Sequence, residues 1–519
     1  MTHHPFNYSV SKIIAAKARL FGLVLFLVIS PCATILAAPG DLDTTFGANG
    51  VVSSNFGGLC HAYAVAVQVD GRIVVAGDAH SQAAVARYNT DGSLDPTFGS
   101  AGVTITPAGE LAAAFAVAIQ PDGRIVVAGQ VHFNTIAYDD WLILRYNTDG
   151  SLDNTFGSGG MINTDFGTFD FAYAVQIQPD DKIIVAGRAN DQFGVARYDP
   201  DGSLDASFAE GGKTIIEPFR DPAWANSIAL TSGGQIVVAG YAFSPTDEEA
   251  FGLVMFKPKG ALAKTFGHTG EVIAPPFQFC MPGDPNSEDI AQGVAIQADG
   301  KIVAAGNSLS PCGPTLGDFA VARYLANGAL DPTFGSGGQV ATPFLGAGAG
   351  KSLVIQPDGK ILVGGQVLEF MVGYEFGLIR YNSDGSLDPT FGFEGRARTF
   401  FGDINYEAGS MALGRDGNII GVGAAFGSFE LARYQTGIPV PEITSVSVHG
   451  KTLTVTGANF DKGATILLNG SFEKTHNDSA NPTSVLVSPK AGKLVEPGDT
   501  VTIMDTSGLL SAPFTFTGQ

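Results

Sequence analysis

The sequence predicts an all-β chain: a seven-bladed β-propeller with N-terminal strand closure, followed by a small C-terminal β-sandwich. Three observations predict it. Three motifs recur seven times in fixed order between residues 41 and 437. Every recurrence is built of short apolar runs between Gly-containing turns, and no segment holds a 3.6-residue period over ten or more residues. Glycine makes up 68 of 519 residues, about double the usual ~7%. With 45% hydrophobic and only 15% charged residues, the chain is neither a disordered acidic protein nor a long-helix protein.

The first motif, LDxTFG, is degenerate in its fourth and fifth copies and places its aromatic at Phe46, Phe98, Phe156, Phe208, Phe266, Phe334 and Phe391, in steps of 52 to 68 residues. The second, near VAIQPDGKIVVAG, ends at Gly77, Gly129, Gly187, Gly240, Gly306, Gly365 and Gly423. The third, near VARYNTDG, carries Tyr88, Tyr146, Tyr198, Phe256, Tyr324, Tyr381 and Tyr434. In the first cycle Tyr63–Val69, Arg72–Ala76, Ala84–Tyr88 and Val103–Thr106 read as strands. Asp70-Gly71 and Asp91-Gly92 are turn signals, because Asp and Gly tolerate positive φ. Four antiparallel strands per unit, repeated radially, make a propeller blade.

Units of this form resemble the Delta-60 repeat family and are similar in layout to NHL-type blades. The resemblance covers residues 41–437. It implies a bacterial secreted or surface protein with a propeller-like fold and no established activity.

The chain begins with a fourth-strand motif, Asp41–Phe56, and its last unit ends after a third strand at Tyr434. The missing strand of the last blade is therefore expected from the N-terminus. A charge pattern points the same way. Arg87, Arg145, Arg197, Arg323 and Arg380 are each followed eight residues later by Asp95, Asp153, Asp205, Asp331 and Asp388. In the fourth unit the two positions are Met255 and Ala263, so both partners are lost together. Leaving one member alone in a half-buried turn would cost ~3–5 kcal/mol. Arg433 has no such Asp downstream, and its expected partner is Asp43. These pairs read as structural. The acidic turn Asn89–Asp95 leaves calcium binding open as an alternative.

The DG turns on one face are near-identical from unit to unit, whereas the connections on the other face vary. They include Gln130–Asp140, Tyr241–Ala250, Pro275–Asp289, Asn307–Asp318 and Gln366–Glu375. Variable loops on a rigid scaffold are usual places for binding. Candidate ligand-facing residues are Tyr63, Phe115 and Tyr173, at the heads of successive first strands, and Trp224, read as lying in a loop. The aligned positions in the remaining units are Asn226, Gln292, Lys351 and Gly409. Packing between blades is the competing role for the three aromatics. Trp141 aligns with Phe193 and Phe251 and reads as core. The histidines lack ligand spacing, and GxSxG, Walker and HExxH motifs are absent from the sequence, so no metal or cofactor is expected. Loop carboxylates such as Asp139, Asp140, Glu248 and Glu249 leave an extracellular polysaccharide hydrolase or lyase as the alternative function.

Residues 1–38 read as a secretory signal: Lys12, Lys17 and Arg19, then the apolar run Leu20–Ser30, then Ala33, Ala37 and Ala38. The whole chain carries a net charge of −21, and removal of this segment takes away three cations and no carboxylate, leaving −24. Nucleic acid and anionic membrane surfaces are poor partners for such a charge, and no further segment reads as a transmembrane span. In an oxidising compartment Cys280 and Cys312 are expected to pair, with Cys60 left over.

After the Pro-flanked linker Ile438–Pro441 the repeats stop. Ile443–Val448, Leu453–Thr456, Thr465–Leu468, Ser484–Val487, Val501–Met504 and Phe514–Phe516 read as strands of a small sandwich. The stretch PEITSVSVHGKTLTVTGANFDKGATILLNG resembles the IPT/TIG immunoglobulin-like family, with Pro441, Ile443, Gly457, Asn459 and Phe460 matching. The expected organisation is a signal peptide at 1–38, a propeller at 39–437 and a sandwich at 438–519. The expected function is non-catalytic binding outside the cytoplasm (periplasmic, extracellular or at the cell surface), with an extracellular glycan or surface protein as partner.

Overall fold

The computed structural model describes residues 38–133, 138–216, 220–243, 249–277, 288–309, 317–344, 346–369 and 372–518. The expected pairing of Cys280 with Cys312 falls outside them, as do residues 1–37, Glu248 and the centres of several variable connections.

These residues form an all-β protein with a single short 3-10 turn, Ala491–Lys493. Each repeat folds into a sheet whose strand order follows the chain. In the first unit the strands are Cys60–Val67, Ile73–Ala79, Gln82–Tyr88 and Val103–Thr106. The same plan repeats over residues 111–164, 171–216, 220–273, 288–343 and 347–399. The units at 220–273 and 288–343 are joined by one parallel pair, Glu249 against Glu288. The last unit supplies Glu407–Leu413, Ile419–Ala425 and Ser428–Tyr434. Its outer strand is Val51–Ser54, antiparallel to Ser428–Tyr434 with Val51 opposite Ala432 and Ser54 opposite Phe429. The innermost strands contact one another in cyclic order, and Glu407–Leu413 returns to Cys60–Val67.

Apolar layers between neighbouring sheets hold the units together. Trp141, Phe193, Phe251, Phe319, Phe376 and Phe429 are all buried there. Trp141 also donates its indole N–H to the Arg188 carbonyl of the next unit at 2.8 Å.

The arginine before each motif tyrosine ties three elements at once. Arg87, Arg145, Arg197, Arg323 and Arg380 lie 2.8, 2.8, 2.6, 2.9 and 2.8 Å from Asp95, Asp153, Asp205, Asp331 and Asp388. Arg433 lies 2.8 Å from Asp43, 390 positions earlier in the sequence. Each guanidinium also sits over the ring of its motif phenylalanine, as Arg145 does over Phe156 at 4.4 Å and Arg433 over Phe46 at 4.7 Å. Each then donates to a carbonyl of the following unit. Arg145 reaches Pro200, Arg380 reaches Thr436, and Arg433 reaches Thr90 of the first unit. In the fourth unit Met255 and Ala263 are buried in an apolar cluster. The DG-turn aspartates are occupied locally: Asp91 accepts from the N–H and hydroxyl of Ser93.

One buried carboxyl sits in the strand that receives the N-terminal segment. Glu430 is opposite Ser53 and accepts its hydroxyl at 2.6 Å. Burial lifts its pKa from 4.5 to about 7, against the opposing effect of the Ser53 hydrogen bond. Between those values the folded state holds a proton that the unfolded chain has released, so this group makes stability fall as pH rises from about 4.5 through 7. Glu430→Gln should remove that slope and be more stable than the parent at pH 8 by up to about 3 kcal/mol. Denaturant titrations at pH 5 and pH 8 check it: a parent equally stable at both, with an unchanged variant, would refute the assignment.

Residues 442–515 form two further four-stranded sheets. One contains Glu442–His449, Thr452–Ala458, Val485–Ser488 and the short pair His476–Asn477, and the other contains Thr465–Leu468, Ser471–Phe472, Thr500–Met504 and Phe514–Thr515. Leu453, Val455, Phe460, Ile466, Leu486 and Ile503 fill the space between them. Arg415, in the first turn of the last repeat, binds this region through its carbonyl to the Leu510 N–H at 2.7 Å and its guanidinium to the Gly508 carbonyl at 3.2 Å.

Candidate functional site

The first strand of every repeat carries a β-bulge at the same place. Opposite the second strand, Ala62 pairs with Gly77 and Ala64 with Ala76, so Tyr63 is the extra residue. The same irregularity makes Phe115, Tyr173, Asn226 and Gln292 the extra residues of their strands. Lys351 is extra in the next unit, and in the last unit Gly409 and Ser410 lie within the irregular stretch. A bulge re-aims one side chain out of the strand's alternation. Here the re-aimed positions converge on one central cavity of ≈ 620 Å³.

The glycine that ends the second motif allows this bulge. A Cβ placed on Gly129 would lie 1.8 Å from the Ala113 carbonyl oxygen, and one on Gly187 would lie 1.9 Å from that of Phe171. Neither glycine needs a positive φ, so the demand is for space. Gly129→Ala must flatten or shift the bulge, an overpacking cost of roughly 1–3 kcal/mol. A melt of this variant against Ala128→Gly, one residue away, tests the point, and an unchanged melting temperature for Gly129→Ala would contradict it.

The lining is lopsided. Tyr63 and Phe115 pack with ring centroids 5.2 Å apart at 70°, and Phe115 and Tyr173 are 5.5 Å apart at 35°. Burial pushes the Tyr173 phenol up to about 12 and that of Tyr63 further, so both are neutral at ordinary pH. Beyond this aromatic crescent come two amides, with Asn226 donating to the Ala291 carbonyl at 2.9 Å. Then comes Lys351, whose ammonium has no hydrogen bond or ion pair among the described residues. Burial pushes its pKa down, and Glu407 acts in the opposite sense. Among the described residues Glu407 is the one carboxylate in the lining. Hydroxyls stitch the ring together: Ser227 accepts the Val294 N–H at 3.1 Å, and Ser410 accepts the Val65 N–H at 3.0 Å.

Tyr63, Phe115 and Tyr173 thus face the cavity and pack across units at once. Trp224 is elsewhere, and its reading as a loop residue is corrected. It lies in the strand Arg220–Leu230, packed edge-on against Tyr241 at 4.2 Å and under Arg188 at 5.1 Å. That strand starts early because Arg220 already pairs with Phe243. The sequence aligns Lys351 with Tyr63, Phe115 and Tyr173 but gives it no ligand role, because a lone lysine carries no motif. The signal that finds it is the glycine ending the second motif, Gly365, which pairs with Gly350 just before Lys351 and marks the bulge.

A second acidic group lies outside the cavity. Carboxylate oxygens of Asp140, Asp165 and Asp170 lie within 4.8 Å of one another. Asp170 is fully buried and accepts the N–H groups of Phe166 and Asn190, while Asp140 accepts the Asn163 amide. Burial lifts Asp170 to about 6. Its oxygens are committed to the backbone, so it braces the connection at 165–170.

Five stretches, 68–98, 120–156, 178–208, 297–334 and 356–391, match the family described as "Domain of unknown function (DUF5122) beta-propeller". The chain is a β-propeller protein. A search of curated proteins finds no match. Among solved structures it is similar to virginiamycin B lyase from Staphylococcus aureus, at 12% identity over 74% of this chain and 98% of that one, with a TM-score of 0.39. It is similar to a PL25 ulvan lyase bound to a sugar, at 12% identity over 75% and 95% with a TM-score of 0.44. It is also similar to YCF48 bound to a D1 peptide, at 12% identity over 78% and 99% with a TM-score of 0.42.

Proposed function

We propose that this chain is a secreted or cell-surface binding protein without catalytic activity, and that its ligand enters the central cavity. In this reading residues 1–38 are a signal peptide. Residues 39–437 form a seven-bladed propeller of the Delta-60 type closed by the N-terminal strand. Residues 438–519 are an IPT/TIG-like β-sandwich that acts as a stalk or second contact.

The single observation that carries the reading is the ring of bulge residues. The repeat spends an irregularity in every unit to aim one side chain at the centre, yet those side chains differ from unit to unit. A purely structural ring would have no use for that difference. The alternative, a polysaccharide hydrolase, needs two carboxylates ~5–9.5 Å apart across a sugar-binding cleft. Among the described residues the cavity contributes only Glu407, which weighs toward binding. The test is a glycan and peptide array on the purified mature chain, followed by titration of any hit against Phe115→Ala and Tyr173→Ala. Each aromatic should contribute about 0.5–1.5 kcal/mol beyond its buried area, hence a roughly tenfold loss of affinity or more. Hits that ignore both substitutions would place binding elsewhere and refute the central site.

A further inference from the structure

Resting on that reading, we propose that the central cavity selects a carboxylate-bearing sugar ring, a uronic acid residue within an oligosaccharide, with Lys351 as the group that reads the carboxylate. The argument starts from an imbalance. The protein has 50 acidic and 29 basic residues. The half-buried lysines of three repeat turns each have a carboxylate: Lys182 lies 2.9 Å from Asp205, Lys301 3.3 Å from Asp331 and Lys360 3.1 Å from Asp388. Lys351, by contrast, is placed by its bulge in the cavity lining and makes no hydrogen bond or ion pair among the described residues. A half-buried ammonium loses hydration, and burial depresses its pKa accordingly. An anionic ligand group placed against it would restore what burial removes.

The rest of the lining states the shape of that ligand. Tyr63, Phe115 and Tyr173 form a continuous aromatic wall on three consecutive units. Lys351 follows three units after Tyr173 around the ring, with Asn226 and Gln292 on the two units between them. Aromatic faces suit the apolar C–H face of a pyranose, and amides suit its hydroxyls. Lys351, the one cation in the lining among the described residues, suits one charged substituent. A polyanion dense in sulfate or phosphate would find one positive partner and a strongly negative protein around it.

The experiment uses the full mature chain, an oligogalacturonide and its methyl ester, which keeps ring and length while removing the charge. Calorimetry should show the acid form binding at least tenfold more tightly than the ester, the scale of one charge-assisted hydrogen bond. Lys351→Met should abolish that preference, and Lys351→Arg should keep it. Because the ammonium makes no hydrogen bond or ion pair among the described residues, Lys351→Met should melt no lower than the parent. Equal binding of acid and ester, weakened by Phe115→Ala but unchanged by Lys351→Met, would overturn the role of Lys351 and leave central binding standing. Binding unaffected by either substitution would overturn both. Failure of both oligosaccharides to bind would overturn the uronic acid assignment.

Discussion

Deleting residues 38–56 should lower the unfolding temperature by on the order of 10 °C, although it removes under a twentieth of the chain. The segment gives the last sheet its outer strand, Val51–Ser54. It buries Phe46 completely, and it supplies Asp43 to Arg433, which is itself 7% exposed. It also closes the backbone network through Gly47, whose N–H donates to the Asp91 carbonyl of the first full repeat. Burying a phenylalanine contributes about 1.5–3 kcal/mol, and a buried arginine stripped of its carboxylate costs about 3–5 kcal/mol. The exposed strand edge should also promote association at high concentration. Adding a synthetic peptide of residues 38–56 should raise the melting temperature of the truncated protein in a concentration-dependent way. A truncated protein that melts with the parent would show that the ring does not depend on this joint.

The second large effect is an asymmetry within the ion pairs. Asp153 is held by two arginines, Arg145 at 2.8 Å and Arg124 at 2.9 Å. Burial acts to raise its pKa, but hydrogen bonds from Thr155 and Arg124 and the charge of Arg145 hold it well below the usual carboxylate range. Arg145, only 2% exposed, has that one carboxylate. Asp153→Ala therefore strands a buried guanidinium and should cost about 3–5 kcal/mol. Arg145→Met leaves Asp153 paired with Arg124 and should cost less. The double substitution should recover much of the loss, because the fourth unit already lives with Met255 and Ala263 at these positions. Urea titrations of the two single variants and the double complete the cycle. Equal costs for both singles, adding in the double, would contradict the coupling. The pairing also fixes a pH response: with folded pKa values lowered, this stability is present above about 3.8 and is lost as pH falls through the lower folded values.

Much of the strand order was legible because the turns are local. Asp-Gly signals and β-branched runs placed Val103–Thr106 and Thr465–Leu468 at the positions the structure gives them. The first strand was read as Tyr63–Val69 and runs Cys60–Val67. The shift has a cause: the strand is read from its continuous apolar run, whereas pairing of Cys60 with Ala79 and His61 with Asp78 carries it past the bulge at Tyr63. The short pairs Ser471–Phe472 and His476–Asn477 went unread, being two residues long and set by their neighbours. The site was less legible than the strands. Three of its aromatics were singled out, but their common orientation is a register effect between strands, and register is not written in either strand alone. Lys351 became meaningful only once its lack of a partner was visible.

The chain leaves the ring from a strand that is held on both sides. Ser428–Tyr434 lies between Ile419–Ala425 and Val51–Ser54, and the pairing runs on through Gln435, which exchanges hydrogen bonds with Gly40 and Asp41. Thr436 is then fastened to the Gly417 carbonyl at 2.5 Å and holds the Arg380 guanidinium at 2.5 Å. Ladder hydrogen bonds lie across the strand direction, so tension along this strand loads many of them side by side. A pull applied through the C-terminal sheets would first test the contacts of Arg415 with Gly508 and Leu510, then meet this doubly flanked strand in shear. The stretch at 438–441 would bear force as a tow-point, and the first piece of the ring to yield under load would be the four-residue N-terminal strand, which would slide lengthwise along its neighbour.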